Sequence, residues 1–213
     1  MVLATVGEDF APYAQWLKVC GIADTHIKTI PKAFTAQAFI TTDQDDNQIT
    51  AFHPGAMSDA HLQALPEHPG IEIGIVSPDG KEGMRLHAEQ LHAAGIPFIF
   101  DPGQGLPMFN GEELEYFLEL ADWAVVNDYE AELLKAKTGL SLEAIHQKVK
   151  AFIVTLGAEG SKIYCGENVY DIPAVKPHAA LDPTGCGDAY RAGLLFGLME
   201  GLDWDITGRI ASL

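Results

Sequence analysis

Positive charge is scarce in this chain. Thirteen Lys and Arg stand against thirty Asp and Glu, giving a formal net charge of −17. A nucleic-acid surface needs clustered cationic side chains, so that class of partner is excluded. Any bound phosphate must rely on backbone donors and metal ions more than on cationic side chains. Cysteine is scarce as well. Cys20, Cys165 and Cys186 are odd in number, far apart and without C-x-x-C spacing. That argues against a disulfide framework or a zinc site and fits a reducing cytoplasm. No apolar run approaches the length of a membrane span, and Met1–Glu8 carries no signal-peptide pattern. The motifs G-x-x-x-x-G-K-[ST], H-E-x-x-H and G-x-S-x-G do not occur. Their absence excludes P-loop enzymes, zinc proteases of that type and nucleophile-elbow hydrolases. The eight His residues show no metal spacing, and there is no internal repeat or low-complexity segment.

What is present is globular. The 213 residues are 47% hydrophobic and 20% charged, enough for one sizeable core and an appendage. Val2–Val6 is a short apolar run and predicts a buried strand, followed by a helix over Asp9–Cys20. Thr35–Thr41 and Gln48–Phe52, joined by the polar Asp43–Asn47, predict a β-hairpin within a small lid at about 27–57. Its aromatics Phe34, Phe39 and Phe52 either stack on a base or ring, or pack under the hairpin or in a dimer contact. From residue 71 the pattern is regular. Strands are expected at Ile71–Val76, Pro97–Phe100, Trp123–Val126 and Phe152–Leu156. Helices are expected at Lys81–Ala94, Glu112–Ala121, Tyr129–Lys137 and Ser141–Lys150. Ser161–Cys165 and Asn168–Ile172 read as a hairpin, and Ala189–Met199 as a helix. Such alternation predicts an α/β fold with a parallel sheet flanked by helices on both faces. Ligands of such sheets bind at the carboxyl ends of the strands. Ser77, Asp101 to Gln104, Asn127 and Thr155 to Gly160 fall there.

The stretch that carries chemistry is Asp182-Pro183-Thr184-Gly185-Cys186-Gly187-Asp188. Pro183, Gly185 and Gly187 shape a tight turn that opens into a helix, whose first N–H groups have no intrahelical acceptor. A helix N-terminus attracts anions, and the carboxylate of Asp188 beside it suits removal of a proton near a phosphate. The plain alternative is a capping turn with no ligand. Asn127-Asp128-Tyr129-Glu130 has two readings as well. One is a capping box, the other a site for Mg²⁺ and phosphate. Thr155-Leu156-Gly157-Ala158-Glu159-Gly160 leads into a hairpin rather than a helix, so it is not a dinucleotide fingerprint. It is either a hairpin lead or a loop that lets a nucleotide approach the backbone.

The 182–188 stretch resembles the second signature of the PfkB (ribokinase-like) family of carbohydrate and nucleoside kinases. Val6-Gly7-Glu8-Asp9, Asn127-Asp128-Tyr129-Glu130 and Val154–Gly160 resemble further family landmarks in family order. The resemblance implies a single ribokinase-like kinase domain over 1–213 with a β lid, transferring the γ-phosphoryl group of ATP to a sugar hydroxyl. It implies Asp188 as general base, with the N–H groups of Gly185, Cys186 and Gly187 as anion hole. It assigns Asn127, Thr155, Gly157 and Gly160 to ATP and phosphate, Glu130 to Mg²⁺, and Asp182 and Thr184 to a monovalent cation, usually K⁺. Phe34, Gln37, Phe39 and Gln104 would contact the acceptor. Asp101-Pro102-Gly103-Gln104 resembles the nucleoside-kinase branch, closest to bacterial adenosine kinases. Adenosine is therefore the expected acceptor, and ribose or a sugar phosphate the alternative; a non-catalytic nucleotide-binding module is a third. A homodimer through the lid is a further expectation. Family members carry segments before and after the region matched here, so the chain reads as a truncated domain.

Overall fold

A computed structural model describes residues 1–42, 48–67, 70–176 and 184–213. The expected turn at Asp43–Asn47 and the residues Asp182 and Pro183 lie outside the described residues. The chain packs as two compact units, 1–69 with 79–90, and 70–78 with 91–213.

In the first unit, β1 (Ala4–Val6) runs parallel to β2 (Ile27–Thr29), with α1 (Ala11–Val19) between them. β3 (Gln37–Thr42) and β4 (Gln48–His53) form the expected antiparallel hairpin, Phe39 opposite Ala51 and Ala38 opposite Phe52. A 3₁₀ segment, Gly55–Leu62, follows. Val6, Leu17, Ile30, Ala56, Ala60, Met84 and Ala88 make the unit's buried apolar residues. Thr5 Oγ1 donates to the Ala56 carbonyl at 2.7 Å. The first expected strand is shorter than its apolar run, because Met1 and Val2 are exposed.

The second unit is built on a six-stranded sheet in the order β10-β9-β8-β7-β6-β5. Its strands are β5 (Gly74–Val76), β6 (Phe98–Phe100), β7 (Trp123–Asn127), β8 (Ala151–Thr155), β9 (Ser161–Cys165) and β10 (Asn168–Ile172). The helices are α2 (Lys81–Ala93), α3 (Gly111–Leu120), α4 (Asp128–Thr138), α5 (Leu142–His146), α6 (Cys186–Met199) and α7 (Trp204–Ala211). Most of α2 clusters with the first unit. β5 to β8 are parallel, while the hairpin β9–β10 adds two antiparallel strands and makes the sheet mixed. Alternation along the strands sends residues to opposite faces. Ile99, Val125 and Ile153 join Tyr190 and Leu194 of α6 and Ala211 of α7 in one buried cluster. Phe100 turns the other way and stacks on Phe117 of α3, ring centroids 4.6 Å apart. Helices therefore cover both faces, as the α/β pattern requires.

Local chemistry fixes where the helices start. Asn110 with Glu113 and Asn127 with Glu130 form capping boxes, and Ser141 accepts the Ala144 N–H. The helix expected over Ser141–Lys150 is cut short. α5 ends at His146 because the chain must turn to bring Ala151 beside Trp123, and the Lys150 N–H already bonds the Asp122 carbonyl at 2.7 Å.

Candidate active site

The carboxyl edge of the second unit's parallel strands gathers most of the polar residues singled out above. Asn127 ends β7 and is the register partner of Thr155, which ends β8. The Asn127 side chain accepts the Glu130 N–H at 2.7 Å, and Glu130 Oε2 accepts the Asn127 N–H at 2.8 Å. The capping-box reading is thus what the geometry shows. It uses one carboxylate oxygen of Glu130 and leaves the other for a further role. Glu130 is only 8% exposed. Burial pushes its carboxyl above the ordinary value, against the opposing pull of the Asn127 N–H and the Arg191 guanidinium; Asp101 and Asp128 add to the rise. A single buried carboxylate that resists ionisation gains from a divalent cation. Mg²⁺ takes one or two carboxylates and fills its shell with water and phosphate oxygens, so the donor set fits. Among the described residues no group of three or more His, Cys, Asp and Glu could hold a metal alone.

Beyond Thr155, Gly157–Glu159 forms a 3₁₀ turn closed by the Leu156 N–H to the Gly160 carbonyl at 2.8 Å. Gly160 has φ 94°, and a Cβ there would meet the Ile172 carbonyl oxygen at 2.0 Å. The close approach of β10 thus requires glycine at this position. The space a Cβ would enter at Gly157 is open, so an incoming ligand can reach the backbone there.

The third element is the start of α6. Gly185 is its N-cap, in the left-handed region at φ 82°, and offers no side-chain cap to the helix. The first N–H groups of a helix lack intrahelical acceptors, and here they stand exposed together with Asp188. Thr184 lies just before, also exposed; Asp182 is outside the described residues, so only half of the expected cation pair is placed.

Two contacts behind α6 were not foreseen. Asp101, 3% exposed at the end of β6, receives Arg191 Nη2 on Oδ1 at 2.6 Å and Arg191 Nε on Oδ2 at 2.5 Å. Ser77 Oγ donates to the same Oδ2 at 3.0 Å. The Tyr190 and Ser161 hydroxyls bond at 2.7 Å, in a buried position. A signal for the first existed: Arg191 is the one charged residue between Ala189 and Met199, in a chain poor in cations.

The expected acceptor residues divide. Gln104 is exposed in a 3₁₀ segment after β6, in the second unit. Phe34, Gln37 and Phe39 belong to the first unit. Phe34 and Phe39 are 63% and 62% exposed, and Phe52 is 54% exposed. The reading in which these rings pack under the hairpin is not met.

Comparison with known proteins names the fold that carries this edge. A family model described as pfkB family carbohydrate kinase matches residues 1–213. The chain belongs to the pfkB family. The pfkB chain is 33% identical over 214 residues to a nucleoside kinase of Methanocaldococcus jannaschii, covering 99% of this chain and 70% of that protein. It is 36% identical over 192 residues to a ribokinase of Lactococcus lactis, covering 87% of this chain and 61% of that protein. Among solved structures, Burkholderia thailandensis nucleoside kinase in complex with inosine superimposes with a TM-score of 0.94 at 48% identity, covering 99% of this chain and 70% of that one. The ribokinase-like fold and a phosphotransferase of hydroxyl acceptors follow for this pfkB chain. No described helix is long and apolar enough to cross a membrane.

Proposed function

We propose that this chain carries the phosphoryl-transfer site of an ATP-dependent nucleoside kinase acting on the 5′-hydroxyl of a purine ribonucleoside, with adenosine the first candidate. The observation that carries the reading is the exposed start of α6, where Asp188 stands beside a helix N-terminus whose N-cap is Gly185. Asp188 takes the proton of the acceptor hydroxyl as its oxygen bonds to the γ-phosphorus and the β–γ bridging oxygen departs with ADP. The N–H groups of Gly185, Cys186 and Gly187 receive the charge that builds on the transferring group. Asn127, Thr155, Gly157 and Gly160 hold the nucleotide's phosphates and backbone-facing edge. Glu130 is the residue for Mg²⁺, which when bound would neutralise the β- and γ-phosphate oxygens. Thr184 and Asp182 are where a monovalent cation, K⁺ by resemblance, would bind.

The nucleoside acceptor is supported by relatives described as nucleoside kinases, one of them solved with inosine. On this chain, Phe34, Gln37, Phe39 and Gln104 are the residues proposed to contact the base and ribose. The hairpin exposes Phe39 and Ile49 on one face and Ile40 and Phe52 on the other. A hairpin with apolar groups on both faces has one more than a nucleoside covers, which supports a homodimer through the lid. The three free thiols accord with a cytoplasmic enzyme. A second reading, a sugar kinase, is favoured by the ribokinase relatives.

The test is an acceptor panel on the complete protein with Mg-ATP: adenosine, inosine, ribose and fructose phosphates. The expected result is the highest kcat/KM with a purine nucleoside, adenosine foremost. Faster turnover of the sugars would overturn the nucleoside assignment.

A further inference from the structure

We propose that Arg191 is a positioning residue that locks the anion-binding start of α6 to the carboxyl end of β6, and so sets where Asp188 stands. This rests on the phosphotransferase reading of the site. The guanidinium makes a bidentate fork onto Asp101, and its Nη1 donates to the Gly187 carbonyl at 3.0 Å. One planar group thus joins two segments 90 residues apart in sequence. Both partners are enclosed, the Arg191 side chain 16% exposed and that of Asp101 4%. Asp101 is itself held, by Ser77 Oγ at 3.0 Å and by its own N–H on the Val76 carbonyl at 2.9 Å. The bridge therefore runs from β5 and β6 to the carbonyl one residue before Asp188.

Gly187 belongs to the device. A Cβ at that position would stand 2.9 Å from Arg191 Nη1, so a side chain there would displace the guanidinium. Bulk anchoring of α6 is already supplied elsewhere, by Tyr190 and Leu194 in the apolar cluster and by the Tyr190–Ser161 bond. Buried ion pairs are weak sources of stability, but their geometry is directional. An Arg fork fixes both distance and orientation, which the point charge of Lys does not. A polar bridge at the first turn adds direction to a helix whose burial is secured further along.

The experiment compares the complete wild-type protein with Arg191→Met, Arg191→Lys, Asp101→Asn and the double variant Arg191→Met/Asp101→Asn. Two readouts are taken: kcat and KM on the best acceptor of the wild type, and amide hydrogen exchange over residues 185–190 with β8 as internal reference. Arg191→Met is expected to lower kcat by about 10²-fold, the scale of a ~1 Å misplacement, with KM for ATP little changed. Arg191→Lys should recover only a small part of the loss. The double variant should be no slower than Arg191→Met alone, since both changes break one bridge. Exchange over 185–190 should quicken by about tenfold while β8 stays protected. Unchanged kcat, full recovery by Arg191→Lys, or unchanged exchange at 185–190 in the variants would each overturn the proposal. If Arg191→Met does not fold, Arg191→Lys and Asp101→Asn carry the same comparison. A wild-type protein that phosphorylates no acceptor overturns the kinase reading instead, and the exchange data still decide the bridge.

Discussion

Glu130 answers two demands at once. Its side chain caps α4 by accepting the Asn127 N–H, and its burial keeps the carboxyl reluctant to ionise. A group whose folded pKa lies above its ordinary value of 4.5 costs stability once pH rises through that value, and the cost disappears below it. Glu130→Gln keeps an oxygen for the cap but removes the charge. Without divalent cation, the variant is expected to melt no lower than wild type at pH 7, with any advantage vanishing below pH 4.5. Turnover should nonetheless fall, by roughly 10–100-fold, if the carboxylate serves a metal or its waters. Thermal denaturation and steady-state kinetics on the same samples separate the two roles. Unchanged turnover would leave Glu130 as a cap only.

At the scale of elements, the root of the β3–β4 hairpin is set by contacts of Gly7 and Asp9 with Thr35. Asp9 Oδ1 accepts the Thr35 N–H at 2.8 Å and the Thr35 hydroxyl at 2.7 Å, and Thr35 Oγ1 in turn accepts the Gly7 N–H at 3.0 Å. A Cβ on Gly7 would lie 2.3 Å from the Phe34 backbone, so only glycine admits this approach. The Thr35 backbone bond, with help from its hydroxyl and from Gln37, holds the Asp9 carboxyl below its ordinary value of 3.8. The sign follows: this contribution is complete above pH 3.8 and is lost as pH falls toward the lower folded value. The Thr35 amide resonance should therefore shift on acidification below that point, and Asp9→Asn should abolish the shift. A titration that leaves Thr35 unmoved would contradict the latch. Elements of this kind were legible where a period or a cap marked them, as in the 161–172 hairpin, the Asn127 box and the apolar runs of β6 to β8. β2, three residues long with Lys28 and Thr29 exposed, carries too little alternation to read, and the 3₁₀ segment at Gly55–Leu62 has no apolar period. α7 was not expected either; the face it buries is carried by Thr207, Gly208 and Ala211, small residues that make no apolar run.

For the molecule as a whole, the order of strands and helices was readable because each βα unit is local in sequence, and handedness then leaves few topologies. The glycines around Cys186 marked the turn into α6, since an N-cap at φ 82° has a sequence signature. What the sequence does not display is pairing across long separations. Asp101 and Arg191 lie 90 residues apart, and only the fold brings them together. The same holds for Tyr190 and Ser161. The division into two compact units was likewise set by contacts rather than by composition, with α2 shared between them. The role proposed for Asp188, at the exposed start of α6, as the base of a phosphoryl transfer draws these levels together. Its most direct test is the steady-state turnover of Asp188→Asn in the complete protein with Mg-ATP and its best acceptor. The account predicts that kcat falls by about 10²–10⁴-fold, the usual loss of a general base, while ATP binding is retained. Turnover close to that of the wild type would contradict it.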